Sequence, residues 1–219
     1  SYWLDQKKQQ VQLQEVSEAA YHRSQMVWAE FNANFTDLAG LPSHECSQDT
    51  IFSLRKKVKN SEFIKAAAVE LGQNIYCADT GLTTREKPKP DFITEDGAWI
   101  WLNQNTVRST RKNTLYIQRG NIIQSALNAN LVNVVADTKT QIVMVSSKHK
   151  QIITHYPEGT RISPAVLAEL SGRTASLTAL GFLYNAKHDK DLSYTIIAFQ
   201  AKQPLLAYWQ ENFWLWLPA

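Results

Sequence analysis

The sequence predicts an α+β fold in which a long N-terminal helix and a short second helix pack on a mainly antiparallel sheet, with a terminal helix closing the chain. Three observations predict it. Residues 2–39 contain neither Gly nor Pro, several short β-compatible runs between residues 62 and 199 are separated by turn residues, and a helical pattern resumes near Pro204. The 219 residues are 44% hydrophobic and 20% charged, enough to bury a substantial core without structural metal or a dense disulfide framework. The expectation is one domain over residues 1–219: a stalk and long helix (1–39), an α+β core (40–203) and a membrane-proximal helix (204–219).

The opening stretch is rich in Gln, Glu, Lys and Ala, all good helix formers. Val16, Ala20, Val27, Phe31, Phe35 and Leu38 recur at spacings of three, four or their sums, so the second half presses one face on a core. The first half, with Gln6-Lys7-Lys8-Gln9-Gln10, is polar and predicts a projecting stalk. A helix of this length can pair with a second copy into a homodimer, although its heptads are irregular.

Gly40-Leu41-Pro42 ends that helix, and Ser47 then serves as N-cap of a second one, with Asp49 in its first turn and Ile51, Leu54 and Val58 on one face. Residues 62–71 and 75–78, joined by Gly72-Gln73-Asn74, predict a hairpin with Cys77 on its return strand. After the Pro- and Lys-rich connection Thr84 to Pro90, strands are expected at 98–102, 114–118, 141–146 and 151–155, the last two flanking Ser147 to Lys150. Ser163 caps a short helix at 164–170, and residues 178–185 and 192–199 form a hairpin around Lys187 to Asp191. This order of elements resembles the membrane-distal sensor modules of bacterial receptors, the PAS-like Cache class among them.

The formal charge of +3 is dispersed, so no nucleic-acid groove or polybasic membrane patch is expected. No apolar run reaches eighteen residues and no signal-peptide pattern occurs. The chain opens on Ser1 and closes on Pro218-Ala219. Tyr2 and Trp3 lie at one end and Tyr208, Trp209, Phe213, Trp214 and Trp216 at the other. Such rings gather at the water-lipid boundary, which predicts membrane spans just beyond each end; the alternative is a terminal amphipathic helix that packs its rings on the core.

No GxGxxG, P-loop, HExxH or GxSxG motif occurs, so neither a cofactor nor catalysis by this chain is expected. His22 or His44 beside a nucleophilic cysteine, and His44, Cys46, Cys77 and Asp79 as zinc ligands, are rivals that the spacing does not single out. Glu95-Asp96-Gly97 and Pro157-Glu158-Gly159 read as solvated turns. Trp99 and Trp101 alternate onto one face of their strand; with Tyr116 and Arg119 they either line a pocket for an extracellular metabolite or fill a core.

Cys46 lies in His44-Glu45-Cys46-Ser47 just ahead of a helix, and Cys77 lies in Ile75-Tyr76-Cys77-Ala78-Asp79-Thr80-Gly81 at the end of a strand. The residues alone leave open two separate buried thiols or a bridge. Together these features resemble the CSS-motif domain, the periplasmic sensor of a bacterial family whose cytoplasmic half is an EAL-type cyclic-di-GMP phosphodiesterase. The matching features are Cys46-Ser47 before a helix, about thirty residues of helix and strand, and Cys77 in an aromatic-Cys-x-x-x-Gly context closed by Gly81. The eponymous Cys-Ser-Ser is here Cys77-Ala78-Asp79, so the cysteine carries over and the two serines do not. Asp79 keeps an acceptor able to cap a local turn.

The resemblance implies a Cys46–Cys77 disulfide made by the periplasmic thiol-disulfide oxidation machinery. It also implies flanking transmembrane helices, a place on the periplasmic side of the inner membrane, and a cytoplasmic EAL domain in the same polypeptide. In that family the disulfide restrains the phosphodiesterase, and the reduced form is the more active. The EAL catalytic signature is absent from this chain, so that hydrolase activity would reside elsewhere in the polypeptide. Its position before a helix N-terminus makes Cys46 the thiol expected to react first.

Overall fold

The computed structural model describes residues 2–106, 109–134 and 139–202. The expected terminal helix, with Tyr208, Trp209, Phe213, Trp214 and Trp216, lies outside the described residues. No helix among the described residues is long and apolar enough to cross a membrane.

Helix α1 spans Tyr2–Leu38. Its buried stripe is Leu13, Ser17, Ala20, Ser24, Val27, Phe31, Phe35 and Leu38, stepping by three or four residues as one face of a helix must. The stripe begins earlier than the apolar residues suggest, because two of its members are serines. A buried serine needs a partner, and Ser17 donates to the Gln14 carbonyl at 2.9 Å and meets Asn185 Oδ1 at 2.5 Å. The expected stalk is therefore confined to the first turns, where Trp3 and Leu4 are exposed.

The chain forms two compact units, residues 22–131 and residues 1–21 with 132–219. In the first, α2 (Gln48–Asn60) packs over β1 (Ile64–Gly72) and β2 (Ile75–Ala78). The sheet continues with β3 (Gly81–Thr84), β4 (Phe92–Ile93), β5 (Trp99–Thr106), β6 (Ser109–Arg119) and β7 (Ile122–Leu127), in the order β3-β2-β1-β7-β6-β5-β4. Every neighbouring pair is antiparallel. The β1–β2 hairpin turns where the sequence places it, with Asn74 at φ 64°.

β7 escapes a reading by apolar runs because its centre is polar. Gln124 and Ser125 are both buried, and Gln124 Nε2 donates to the Phe31 carbonyl of α1 at 3.2 Å. At the start of β1, the Glu30 carboxylate of α1 accepts the backbone N–H groups of Glu62, Phe63 and Ile64 at 3.1 to 3.2 Å. One side chain thus satisfies three donors and fixes where the sheet meets the helix.

The other unit holds β8 (Gln141–Ser146), β9 (Ile152–Tyr156), helix α3 (Pro164–Leu170), β10 (Ala175–Ala179), β11 (Phe182–Asp189) and β12 (Tyr194–Ala201), in the sheet order β10-β11-β12-β8-β9. The strands thus divide into two sheets rather than one. Val143, Val145, Val166, Leu170, Tyr184, Ala186, Ile197 and Phe199 form its core. The run at 178–185 is not a single strand: Leu180 and Gly181, both at positive φ, turn the chain between β10 and β11. Ser163 stands at the N-cap of α3 without a side-chain capping bond, and Pro164 follows as the first helical residue, where a missing N–H costs nothing.

Candidate functional site

The two cysteines meet where α2 begins. Ser47 Oγ accepts the Thr50 N–H at 3.2 Å, so the N-cap fixes the turn on which half-buried Cys46 sits. Cys77 is fully buried on β2 opposite Val69 of β1. Their sulfurs are bonded at 2.06 Å with Cα atoms 5.2 Å apart, an ordinary disulfide separation. Both thiols are spent in this bridge, so neither is available in this state as a nucleophile or a zinc ligand.

The residues after Cys77 hold the bridge in place through their backbones. Ala78 pairs with Gly81 across a tight turn, and Gly81 has φ 119°, a region that a side chain disfavours. The Asp79 N–H donates to the Ala67 carbonyl at 3.1 Å. Its carbonyl accepts Arg55 Nε and Nη2 at 3.2 and 3.1 Å. The Asp79 hydrogen bonds thus run through its backbone rather than through a side-chain cap, and Arg55, unnoticed in the sequence, fastens α2 to this turn a second time.

A different cluster occupies the sheet face that bears Trp99 and Trp101. Trp101 lies opposite Tyr116 and Trp99 opposite Gln118, and cross-strand partners share a face. The two indoles are 6.0 Å apart. Trp101 is almost fully buried and donates Nε1–H to the Pro88 carbonyl at 2.9 Å, whereas Trp99 remains 38% exposed. Lys87 reaches in from the connection after β3: its Nζ lies 4.5 Å from the Trp99 ring centroid, 5.8 Å from that of Trp101 and 3.0 Å from Glu70 Oε2. The same Glu70 oxygen accepts Gln118 Nε2 at 2.6 Å. Burial, and then the Glu70 charge, push the neighbouring Tyr76 phenol above its usual value, with Arg85 acting against them.

Arg119 does not join this cluster. One residue beyond Gln118 on β6, it points to the opposite face, where Nη1 donates to Asn32 Oδ1 at 3.0 Å, the guanidinium lies 5.1 Å from the Phe35 ring, and Nη2 pairs with Asp96. Burial raises the Asp96 carboxyl, but the Thr94 hydroxyl, the Arg119 charge and backbone N–H groups outweigh it and hold the group below its usual value. Residues 95–97 do form a turn, closed by Gly97 N–H to the Thr94 carbonyl at 3.0 Å. Sequence reading missed Glu70, Lys87 and Gln118. The available signal was Glu70, a carboxylate in the Ala- and Val-rich strand β1.

The fold is one found in extracellular sensor domains of bacterial receptors. The extracellular domain of a protein described as a histidine kinase, rpHK1S-Z16, aligns with a TM-score of 0.63 at 10% identity over 94% of this chain and 99% of that one. A domain of a sensory box/GGDEF family protein from Vibrio parahaemolyticus aligns at 0.55, with 13% identity over 90% and 96%. The ligand-binding domain of Mlp24 with asparagine aligns at 0.52, with 14% identity over 95% and 98%. At these identities the likeness is one of fold.

The sequence gives the family. Residues 9–213 match the CSS motif domain associated with EAL, and the chain belongs to that family. A comparison with curated protein sequences gave no match.

Proposed function

We propose that this chain is the periplasmic redox-sensing domain of an inner-membrane protein, and that its Cys46–Cys77 bridge controls a cyclic-di-GMP phosphodiesterase of the EAL type in the same polypeptide. The observation that carries the proposal is the bridge itself, placed between the start of α2 and the second strand of its sheet in a domain of the EAL-associated family. The turn after Cys77 makes its contacts through the Asp79 backbone, so the bridge does not need the two serines of the signature to be held here. Flanking membrane helices would carry the signal.

The chemistry is a thiol-disulfide exchange with a periplasmic dithiol oxidoreductase. A thiolate of the reductant attacks the half-buried Cys46 sulfur, the Cys46–Cys77 bond breaks, and its electron pair leaves on Cys77, which takes up a proton. The second thiol of the reductant then displaces Cys46, and the reductant ends as a disulfide. Oxidation by the thiol-oxidising machinery is the reverse. Because Cys77 is fully buried, its departing thiolate is poorly solvated and exchange is slow until α2 loosens. The freed α2 shifts against α1, and α1 transmits the change toward the membrane.

The test compares oxidised and reduced full-length protein for cyclic-di-GMP hydrolysis in membranes. Higher activity after reduction, abolished as a redox response in Cys46→Ala, supports the proposal. Equal activity in both states, with the bridge shown by mass to have opened, refutes it.

A further inference from the structure

We propose that the box formed by Glu70, Gln118, Trp99 and Trp101 is a receptor site for a small primary ammonium ligand, held shut by the protein's own Lys87 ammonium. The site is independent of the disulfide reading and lies wholly within the unit of residues 22–131.

The argument starts from the present occupant. The Lys87 ammonium sits over an indole face and against a carboxylate, the two surroundings that an organic cation selects. Lys87 arrives on a connection between β3 and β4 whose backbone is held at both ends by hydrogen bonds. Among the described residues these include Arg85 N–H to the Asn74 carbonyl at 3.0 Å, Lys87 N–H to Asn74 Oδ1 at 3.2 Å, Pro88 O to the Trp101 indole at 2.9 Å, Asp91 N–H to the Ile100 carbonyl at 2.9 Å and Leu102 N–H to Asp91 Oδ2 at 2.6 Å, with the Arg85 guanidinium 4.9 Å from the Tyr116 ring. The tethered cation can withdraw into water by rotation of the Lys87 side chain alone, while the connection and the sheet stay in place.

The second observation is an unanswered acceptor. Gln118 is 5% exposed; its Nε2 donates to Glu70 at 2.6 Å and to the Gly120 carbonyl at 2.8 Å, which fixes the amide orientation. Its Oε1 is then buried with no hydrogen-bond partner among the described residues. Burying an amide oxygen unpaired is unfavourable, and Lys87 leaves it unpaired. A free primary ammonium, no longer constrained by the strap, can give one N–H to Glu70 and a second to Gln118 Oε1. A quaternary ammonium satisfies the indoles and the charge but has no donor for the amide. Trp99 is the member of the box that meets solvent.

The experiment is isothermal titration of the oxidised protein with n-butylammonium, with tetramethylammonium and sodium butyrate as controls at matched ionic strength. Saturable binding of n-butylammonium alone is expected. Lys87→Ala should bind it at least tenfold more tightly because the competing occupant is gone, and Trp99→Leu, at a half-exposed position, should weaken it without unfolding the protein. No saturable binding by either wild type or folded Lys87→Ala overturns the proposal. Binding by Lys87→Ala alone also overturns it, because the latch would then never open. Equal affinity for tetramethylammonium removes the assigned role of Gln118.

Discussion

At the scale of single residues, a few side chains decide what each feature can do. The bridge constrains a 31-residue separation, which in the chain-entropy model is worth about 3.5 to 4 kcal/mol. Cys46→Ala should lower the unfolding free energy of the oxidised protein by roughly 2 to 4 kcal/mol and leave the reduced protein nearly unchanged. Denaturant titration with and without reductant reads both numbers. Asp96 makes a smaller and pH-dependent contribution. Its carboxyl titrates lower in the folded chain than in the unfolded one, so its stabilisation is complete above the ordinary carboxylate value of about 3.9 and is lost as pH falls through the depressed folded value. The pair with Arg119 is half-exposed, so Asp96→Asn should cost only about 0.2 to 1 kcal/mol at neutral pH. The gap between variant and wild type should close below pH 4; an unchanged gap at low pH would assign the loss to packing.

At the scale of elements, α2 is the piece that the bridge is proposed to control, and it is fastened twice to the Cys77–Asp79 turn, besides the pairing of its Lys57 with Asp37 of α1. Cys46 holds its start and Arg55 holds its middle to the Asp79 carbonyl. A hydrogen bond from a charged donor contributes about 1 kcal/mol here, so Arg55→Ala should speed dithiothreitol reduction of the bridge about fivefold by letting α2 open more often. An unchanged rate means that the reductant reaches the bridge without any movement of α2.

The elements also show what apolar patterning reveals. Ser47 as N-cap, the β1–β2 hairpin, β8 and α3 were legible because their signals are local: a cap residue, a turn sequence, a clean run. β7 and the burial of the first half of α1 were not, since Gln124 and Ser17 are buried polar residues whose partners lie far along the chain. The aromatic set divided for a similar reason. Alternation places Trp99 with Trp101, but only pairing with β6 shows that Tyr116 shares their face while Arg119 turns to the other. Glu30 is a third such case, and Glu30→Ala should cost about 2 to 3 kcal/mol because three backbone donors lose their acceptor together. Thermal unfolding of that variant checks it, and a loss below 0.5 kcal/mol, taken as about the noise of surface substitutions, would count against the cap.

At the scale of the whole chain, the disulfide, its second fastening and the Lys87 box all belong to residues 22–131, while residues 1–21 and 132–219 have a sheet and core of their own. In that second unit α1 is tied to its sheet by Ser17 to Asn185 and by Glu18 to Lys187 at 2.7 Å, bonds that owe nothing to the cysteines. Opening the bridge should therefore act unevenly. Amide hydrogen exchange on the protein with and without reductant should show protection falling in α2, β2 and β3, where the bridge and the Arg55 clamp converge. The strands β8, β11 and β12, whose core of Val143, Tyr184, Ile197 and Phe199 contains no part of that network, should keep theirs. Equal loss of protection in both sheets would mean that the bridge stabilises the chain globally and that no local switch exists for α1 to carry.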